Sequence, residues 1–206
     1  MIDGIIFDVD GTLWDTTEVV AKGWNKALAE CGFEERVTAD RLKGLFGLPM
    51  ETIIEDILPN ASDAERAKFK PLCYSYEEVA IEEESGRLYP EIGETLTELA
   101  KKYKLFIVSN CQAGYIELFT KKCGFEKLFA DHLCPGDTGV HKAENIKLIM
   151  QRNNLKNCVY VGDTSMDFEA CQKAGVPMVF AGYGFGKVEN PAWKIAQPAD
   201  LLNIQF

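Results

Sequence analysis

Short apolar runs recur along the chain, and each ends on polar residues or a glycine. The first, Ile5-Ile6-Phe7 with Val9, stops where Asp8, Asp10 and Gly11 fall. Its β-prone residues predict a strand apolar on both faces, as a buried parallel strand should be. From Thr16 the pattern changes to helical spacing. Val19, Val20, Trp24, Ala27, Leu28 and Cys31 line one face, and Gly32 stops it. Thr38 caps a second helix with Leu42, Leu45 and Phe46. Pro49 suits the first position of a third, through Ile53, Ile54, Ile57 and Leu58. Ser62 and Glu65 have capping-box spacing and open a fourth, running towards Ser85-Gly86 with a kink expected at Pro71.

Beyond Gly86, strand and helix signals alternate. A helix over about 92–103 leads into Leu105-Phe106-Ile107-Val108, ended by Ser109-Asn110. A helix then runs to Cys123-Gly124, a weak strand covers 131–134, and Lys142 precedes a helix over 143–153. Cys158-Val159-Tyr160-Val161 ends in Gly162-Asp163, and a further helix closes at Gly175. Met178 to Ala181 reads as the last strand, with Gly182-Tyr183-Gly184-Phe185-Gly186 as a mobile loop after it. This alternation predicts an α/β fold: a Rossmann-like parallel sheet with right-handed crossovers and helices on both faces. Residues 1–15 and 87–206 form the core, and 16–86 an inserted all-helical cap. In such sheets the strand C-terminal ends share one edge, where ligands bind. Asp8, Ser109 and Asp163 each stand at such an end and should converge there. The inserted segment leaves from the same edge and is expected to act as a lid.

Two carboxylates buried together need a proton or a cation between them, and carboxylate oxygens suit a hard divalent ion, Mg²⁺. Length and composition fit this reading. The 206 residues are 47% hydrophobic and 26% charged, which are globular values. The net charge of -10 and the lack of a basic stripe argue against nucleic acid as a partner. No run approaches the roughly 20 apolar residues of a membrane span, and no secretory signal opens the chain. Seven scattered cysteines, none in a C-x-x-C pair, predict reduced thiols and a cytoplasmic protein. His132 and His141 read as surface or loop residues, and Trp14 and Trp24 as packing.

The motifs also carry a family resemblance. Asp8-Val9-Asp10-Gly11-Thr12, Ser109 after its apolar run, Lys142, and Gly162-Asp163-Thr164-Ser165-Met166-Asp167 resemble, in order, the four motifs of the haloacid dehalogenase-like phosphohydrolases. The insertion resembles their first type of helical cap, in the layout of phosphoglycolate-phosphatase-like and phosphoglucomutase-like members. Ala143 departs from the proline that often follows the lysine. The resemblance implies a phosphatase of small phosphorylated metabolites that works through an aspartyl-phosphate. Asp8 would be the nucleophile and Asp10 the acid and base. Asp8, the Asp10 backbone carbonyl, Asp163 and Asp167 would hold Mg²⁺, Asp167 directly or from behind. Ser109 and Lys142 would bind phosphate, with the Thr12 backbone N–H; Asn110 would join them or cap the next helix. Lys43 and Gly44 fall where the family places its substrate-selecting loop, and Arg41 reads as an exposed helix residue. Asp15 caps the first cap helix or marks the hinge.

Taken singly, each residue has a plainer reading. Ser109 and Asp163 could be helix caps, Lys142 a solvated lysine, Asp167 a first-turn carboxylate and Thr12 a turn residue. Two other functions compete: a sugar phosphomutase of the same family, which typically carries a histidine where this chain has Val19 and Val20, and a non-catalytic module binding a phosphorylated ligand. A dehalogenase would lack the second motif carboxylate, present here as Asp10. The partner is a small-molecule phosphate ester, and the expected state is a monomer or weak dimer.

Overall fold

The computed structural model describes residues 2–206. In chain order the elements are β1 (Gly4–Phe7), β2 (Trp14–Asp15), α1 (Thr17–Glu30), α2 (Ala39–Lys43), α3 (Met50–Ile57), α4 (Asp63–Glu83), β3 (Arg87–Leu88), α5 (Ile92–Ala100), β4 (Lys104–Val108), α6 (Tyr115–Cys123), β5 (Phe129–Leu133), α7 (Pro135–Thr138), α8 (Lys142–Arg152), β6 (Cys158–Gly162), α9 (Ser165–Ala174), β7 (Met178–Ala181) and β8 (Trp193–Ile195), then a 3-10 turn, Pro198–Asn203. The chain divides into two compact units. One is the segment ending at Trp14 with Leu88–Phe206; the other is Asp15–Arg87. The short strands β2 and β3, where the chain passes between them, pair with each other.

The α/β unit is a Rossmann-like parallel sheet in the order β5-β4-β1-β6-β7-β8, with helices on both sides. β1 lies inside the sheet, in register with β4 (Ile6 beside Phe106) and β6 (Ile6 beside Tyr160). All four β1 residues are buried, as its unbroken apolar run requires. Alternate residues face opposite sides. Ile6, Phe106, Val108 and Tyr160 pack with Ile146 and Ile149 of α8 and Ala170 and Cys171 of α9.

The helical unit holds α1 to α4. Thr38 caps α2 by accepting from the Arg41 N–H, and Ser62 and Glu65 form the capping box of α4. α1 packs closely on α4: a Cβ on Gly23 would stand 2.6 Å from the Tyr76 carbonyl oxygen. The indole N–H of Trp24 donates to Glu77 at 2.8 Å. Asp15 accepts from the Thr17 N–H and hydroxyl at the start of α1, although the N-cap position itself is Thr16 and Asp15 is the first residue of the helical unit.

Several boundaries differ from the sequence reading. β7 is not the last strand: β8 pairs with it in parallel and widens the sheet. Three residues, Trp193-Lys194-Ile195, are too few to show a period. Pro49 is the N-cap of α3 rather than its first residue. α2 and α5 stop short at Lys43 and Ala100, whereas α8 begins at Lys142 itself. Ser109 caps no helix, because residues 109–114 form a loop and Gly114, at φ 86°, is the N-cap of α6. His132 lies half-buried within β5, its Nε2 3.2 Å from Glu117. The seven cysteines are unpaired, and no helix among the described residues is long and apolar enough to cross a membrane.

Candidate active site

The carboxyl edge of the sheet gathers the polar residues that end the apolar runs. Asp8 follows β1, and its N–H continues the ladder to the Val161 carbonyl at 2.9 Å. Ser109 follows β4, and Asp163 follows β6. Adjacent β1 and β6 therefore bring together carboxylates 155 positions apart in sequence (8 and 163). Asp167 is placed by local chemistry. Thr164 caps α9 by accepting from the Asp167 N–H, while Asp167 Oδ2 accepts from the Thr164 N–H at 2.9 Å and hydroxyl at 2.7 Å. Carboxylate oxygens of Asp8, Asp163 and Asp167 lie within 4.8 Å of one another, all three residues buried.

One cation answers them. Lys142, buried at the start of α8, sets its ammonium 3.1 Å from Asp8 Oδ2 and 2.6 Å from Asp167 Oδ1. It lies 5.6 Å from the ring centre of Tyr160, whose hydroxyl donates to the Val108 carbonyl. The lysine is therefore not a solvated one. Three carboxylates against one ammonium leave a formal charge of about two negatives in a buried space. Burial accordingly raises the Asp8 carboxyl to about 6, despite the opposing pull of Lys142. Burial also pushes Asp163 well up, helped by repulsion from Asp167 and Asp8. Asp167 is held low because Lys142 and the Thr164 bonds outweigh its burial. Lys142 is held high because Asp167 and Asp8 outweigh its own.

These directions fix a pH dependence. A carboxyl raised from 3.8 to about 6 favours the folded state most when protonated. Its contribution is full below about pH 4 and is lost as pH rises through about 6. Asp163 acts in the same direction, whereas Asp167, held low, gives stability that is full above the ordinary value of 3.8 and is lost as pH falls through its folded value. Cation-free protein should therefore show a melting temperature that falls more steeply between pH 4 and 6 than that of Asp8→Asn, measured by calorimetry in chelator.

A divalent cation fits this donor set. The ligand atoms are all oxygens, the charge deficit is about two, and Asp8 Oδ1 is buried without a hydrogen-bond partner. Asp163 is aimed by four neighbours. The Thr12 hydroxyl donates to its Oδ1 at 3.2 Å, the Phe185 N–H donates to its Oδ2 at 2.7 Å, and Gly11 and Gly184 press against it. A Cβ on Gly11, at φ 80°, would stand 2.2 Å from Asp163 Oδ2; one on Gly184 would stand 2.3 Å from both Asp163 Cβ and the Gly11 carbonyl oxygen. The segment 182–186, read from sequence as a mobile loop, is thus built against Asp163. Gly184→Ala should displace the carboxylate, lowering stability by about 1–3 kcal/mol and weakening divalent-ion binding; a thermal melt and a calorimetric Mg²⁺ titration read the two effects.

The remaining residues divide. Thr12 reaches the site through its hydroxyl, and its N–H, expected to face phosphate, donates to the Val9 carbonyl at 3.2 Å. Asp10 is half-buried, its Oδ1 accepting from the Tyr115 hydroxyl at 2.8 Å, and its side chain stands outside the three-carboxylate group. Asn110 lies half-buried in the loop after Ser109. Lys43 ends α2 in the helical unit, 3.5 Å from Asp40, with Gly44 as the C-cap. Arg41 pairs with Asp56 at 2.9 Å. Phe185, Tyr160 and Tyr115 were not singled out from sequence. The Gly-x-Gly-x-Gly spacing of 182–186 was the one available signal, since it marks a backbone pressed against something.

A family model described as haloacid dehalogenase-like hydrolase matches residues 5–181. The chain is 29% identical over 210 residues to a phosphoglycolate phosphatase of Aquifex aeolicus, covering 97% of this chain and 95% of that one. A 5'-nucleotidase of Pseudomonas aeruginosa is 24% identical, over 90% of this chain and 85% of its own length. Among solved structures, a haloacid dehalogenase-like family hydrolase from Streptococcus pneumoniae superposes with a TM-score of 0.87 at 23% identity, covering 98% of this chain and 97% of that one. At 18% identity, CbbY from Rhodobacter sphaeroides in complex with xylulose-1,5-bisphosphate shares the fold, with a TM-score of 0.82 over 98% and 96% of the two chains.

Proposed function

The chain belongs to the haloacid dehalogenase-like hydrolases and is a phosphatase of phosphate monoesters; from that premise we propose that it hydrolyses a small phosphorylated metabolite, of the phosphoglycolate kind, using Asp8 as nucleophile and Mg²⁺ as cofactor. The observation that supports this most is the buried group of Asp8, Asp163, Asp167 and Lys142, with Asp8 Oδ1 unpartnered.

Each residue has a task in this reading. Asp8 attacks phosphorus, the bond to the leaving oxygen breaks, and Asp10 gives that oxygen a proton. Asp10 then takes a proton from water, the water oxygen bonds to phosphorus, and the bond to Asp8 breaks. Ser109 donates to a phosphoryl oxygen. Lys142 holds Asp8 and attracts the anionic ester. Asp8, Asp163 and the Asp10 backbone carbonyl would hold Mg²⁺, which when bound supplies positive charge to the phosphoryl oxygens. Asp167 supports the site from behind, since its two oxygens are already engaged by Lys142 and Thr164. Substrate selection is assigned, through the family resemblance, to the helical segment 16–86, with Lys43 and Gly44 in its selecting loop.

Phosphate release from a panel of monoesters, phosphoglycolate included, with Mg²⁺ or with chelator, tests the proposal. Release that the chelator abolishes is expected. Absence of release from every ester at all Mg²⁺ concentrations would overturn it.

A further inference from the structure

The acid–base carboxylate has a partner that none of the four motifs contains. Tyr115, the first residue of α6, donates its hydroxyl to Asp10 Oδ1 at 2.8 Å across 105 positions of sequence. The ring is buried, only 4% exposed. It meets Trp14 edge-on at 6.1 Å, and fully buried Trp14 meets Phe119 edge-on at 4.8 Å. Asp10 forms a bridge with Trp14 in the turn after β1. One aromatic stack thus sets both the tyrosine ring and the turn that carries the carboxylate, so the hydroxyl has a fixed aim.

We propose that Tyr115 is a positioning residue for Asp10, holding its Oδ1 so that the transferable proton sits on Oδ2. This rests on the proposed role of Asp10. A carboxyl whose Oδ1 accepts a hydrogen bond carries its own proton on the other oxygen. A single rotamer then presents that proton, and no reorientation is needed when the ester bond breaks. As the proton passes to the leaving oxygen, the charge appearing on Asp10 is met by a donor already in place. Such charge-assisted bonds are the stronger kind.

The effect depends on the leaving group, which separates positioning from mere packing. An alkoxide needs a proton as it departs, whereas p-nitrophenolate leaves without one. The quantity to measure is kcat/KM, which reports the steps through cleavage of the ester bond, for an alkyl phosphate and for p-nitrophenyl phosphate. Tyr115→Phe keeps the ring and its stack. It is expected to lose about tenfold on the alkyl ester and little on the aryl ester. Asp10→Asn should lose more with the same preference, and adding Tyr115→Phe to it should cost nothing further on the alkyl ester. Equal losses on the two esters, no loss on either, or additive losses in the double variant would overturn the proposal. Wild-type protein inactive on both esters would instead refute the phosphatase reading beneath it.

Discussion

Asp8→Asn is expected to lower turnover on every phosphate ester by at least about a thousandfold, the scale seen when a covalent nucleophile is removed, while leaving the protein folded. The amide has nearly the shape of the carboxylate but cannot attack phosphorus. Its effect on stability should have the opposite sign. Burial raises the Asp8 carboxyl to about 6, so near neutral pH the ionised side chain is held against its own preference. Removing that charge leaves Lys142 its bond to Asp167. Cation-free Asp8→Asn should therefore melt no lower than the parent protein above pH 6. A variant that kept parental rates on all esters would remove Asp8 from the chemistry.

Lys142→Met is expected to give the largest loss of stability, about 3–5 kcal/mol, because it strips the cation from a buried ionic group and leaves the carboxylates unmatched. The ammonium lies 3.1 Å from Asp8 and 2.6 Å from Asp167, with almost none of it exposed to solvent. Methionine preserves most of the volume, so packing accounts for little of the change. Denaturant unfolding in chelator measures it. The deficit should shrink as pH falls through the raised carboxyl values, since protonation removes the repulsion that Lys142 otherwise offsets. Mg²⁺ should restore part of it at neutral pH by supplying the missing charge. A loss below about 1 kcal/mol would mean that the lysine is a weak surface-like pair after all.

The sequence disclosed some parts of the site far better than others. Asp8, Ser109 and Asp163 were legible because each ends an apolar run, and a parallel sheet brings such ends to one edge. Lys142 and Asp167 were legible only as members of a set, because a lone lysine or first-turn carboxylate resembles many others. Their pairing depends on how α8 and α9 sit on one face of the sheet, which no local pattern encodes. The aim of Asp163 was hidden for a related reason. Its partners are a backbone N–H at Phe185, a hydroxyl at Thr12 and the bare Cα of Gly184, none of which stands out by residue type. Likewise β8 was missed because three residues on a sheet edge have no measurable period, and Tyr115 because it meets Asp10 only after the loop 109–114 turns at Gly114.

The central claim is that Asp8 takes the phosphoryl group onto its own carboxylate, and trapping tests it most directly. Protein mixed with Mg²⁺ and a hydrolysed ester, quenched in mid-turnover and treated with borohydride, should show the Asp8 side chain reduced to the alcohol by peptide mass spectrometry, with no such product in chelator. Turnover that continues while Asp8 stays unmodified, or reduction at another carboxylate, would contradict it.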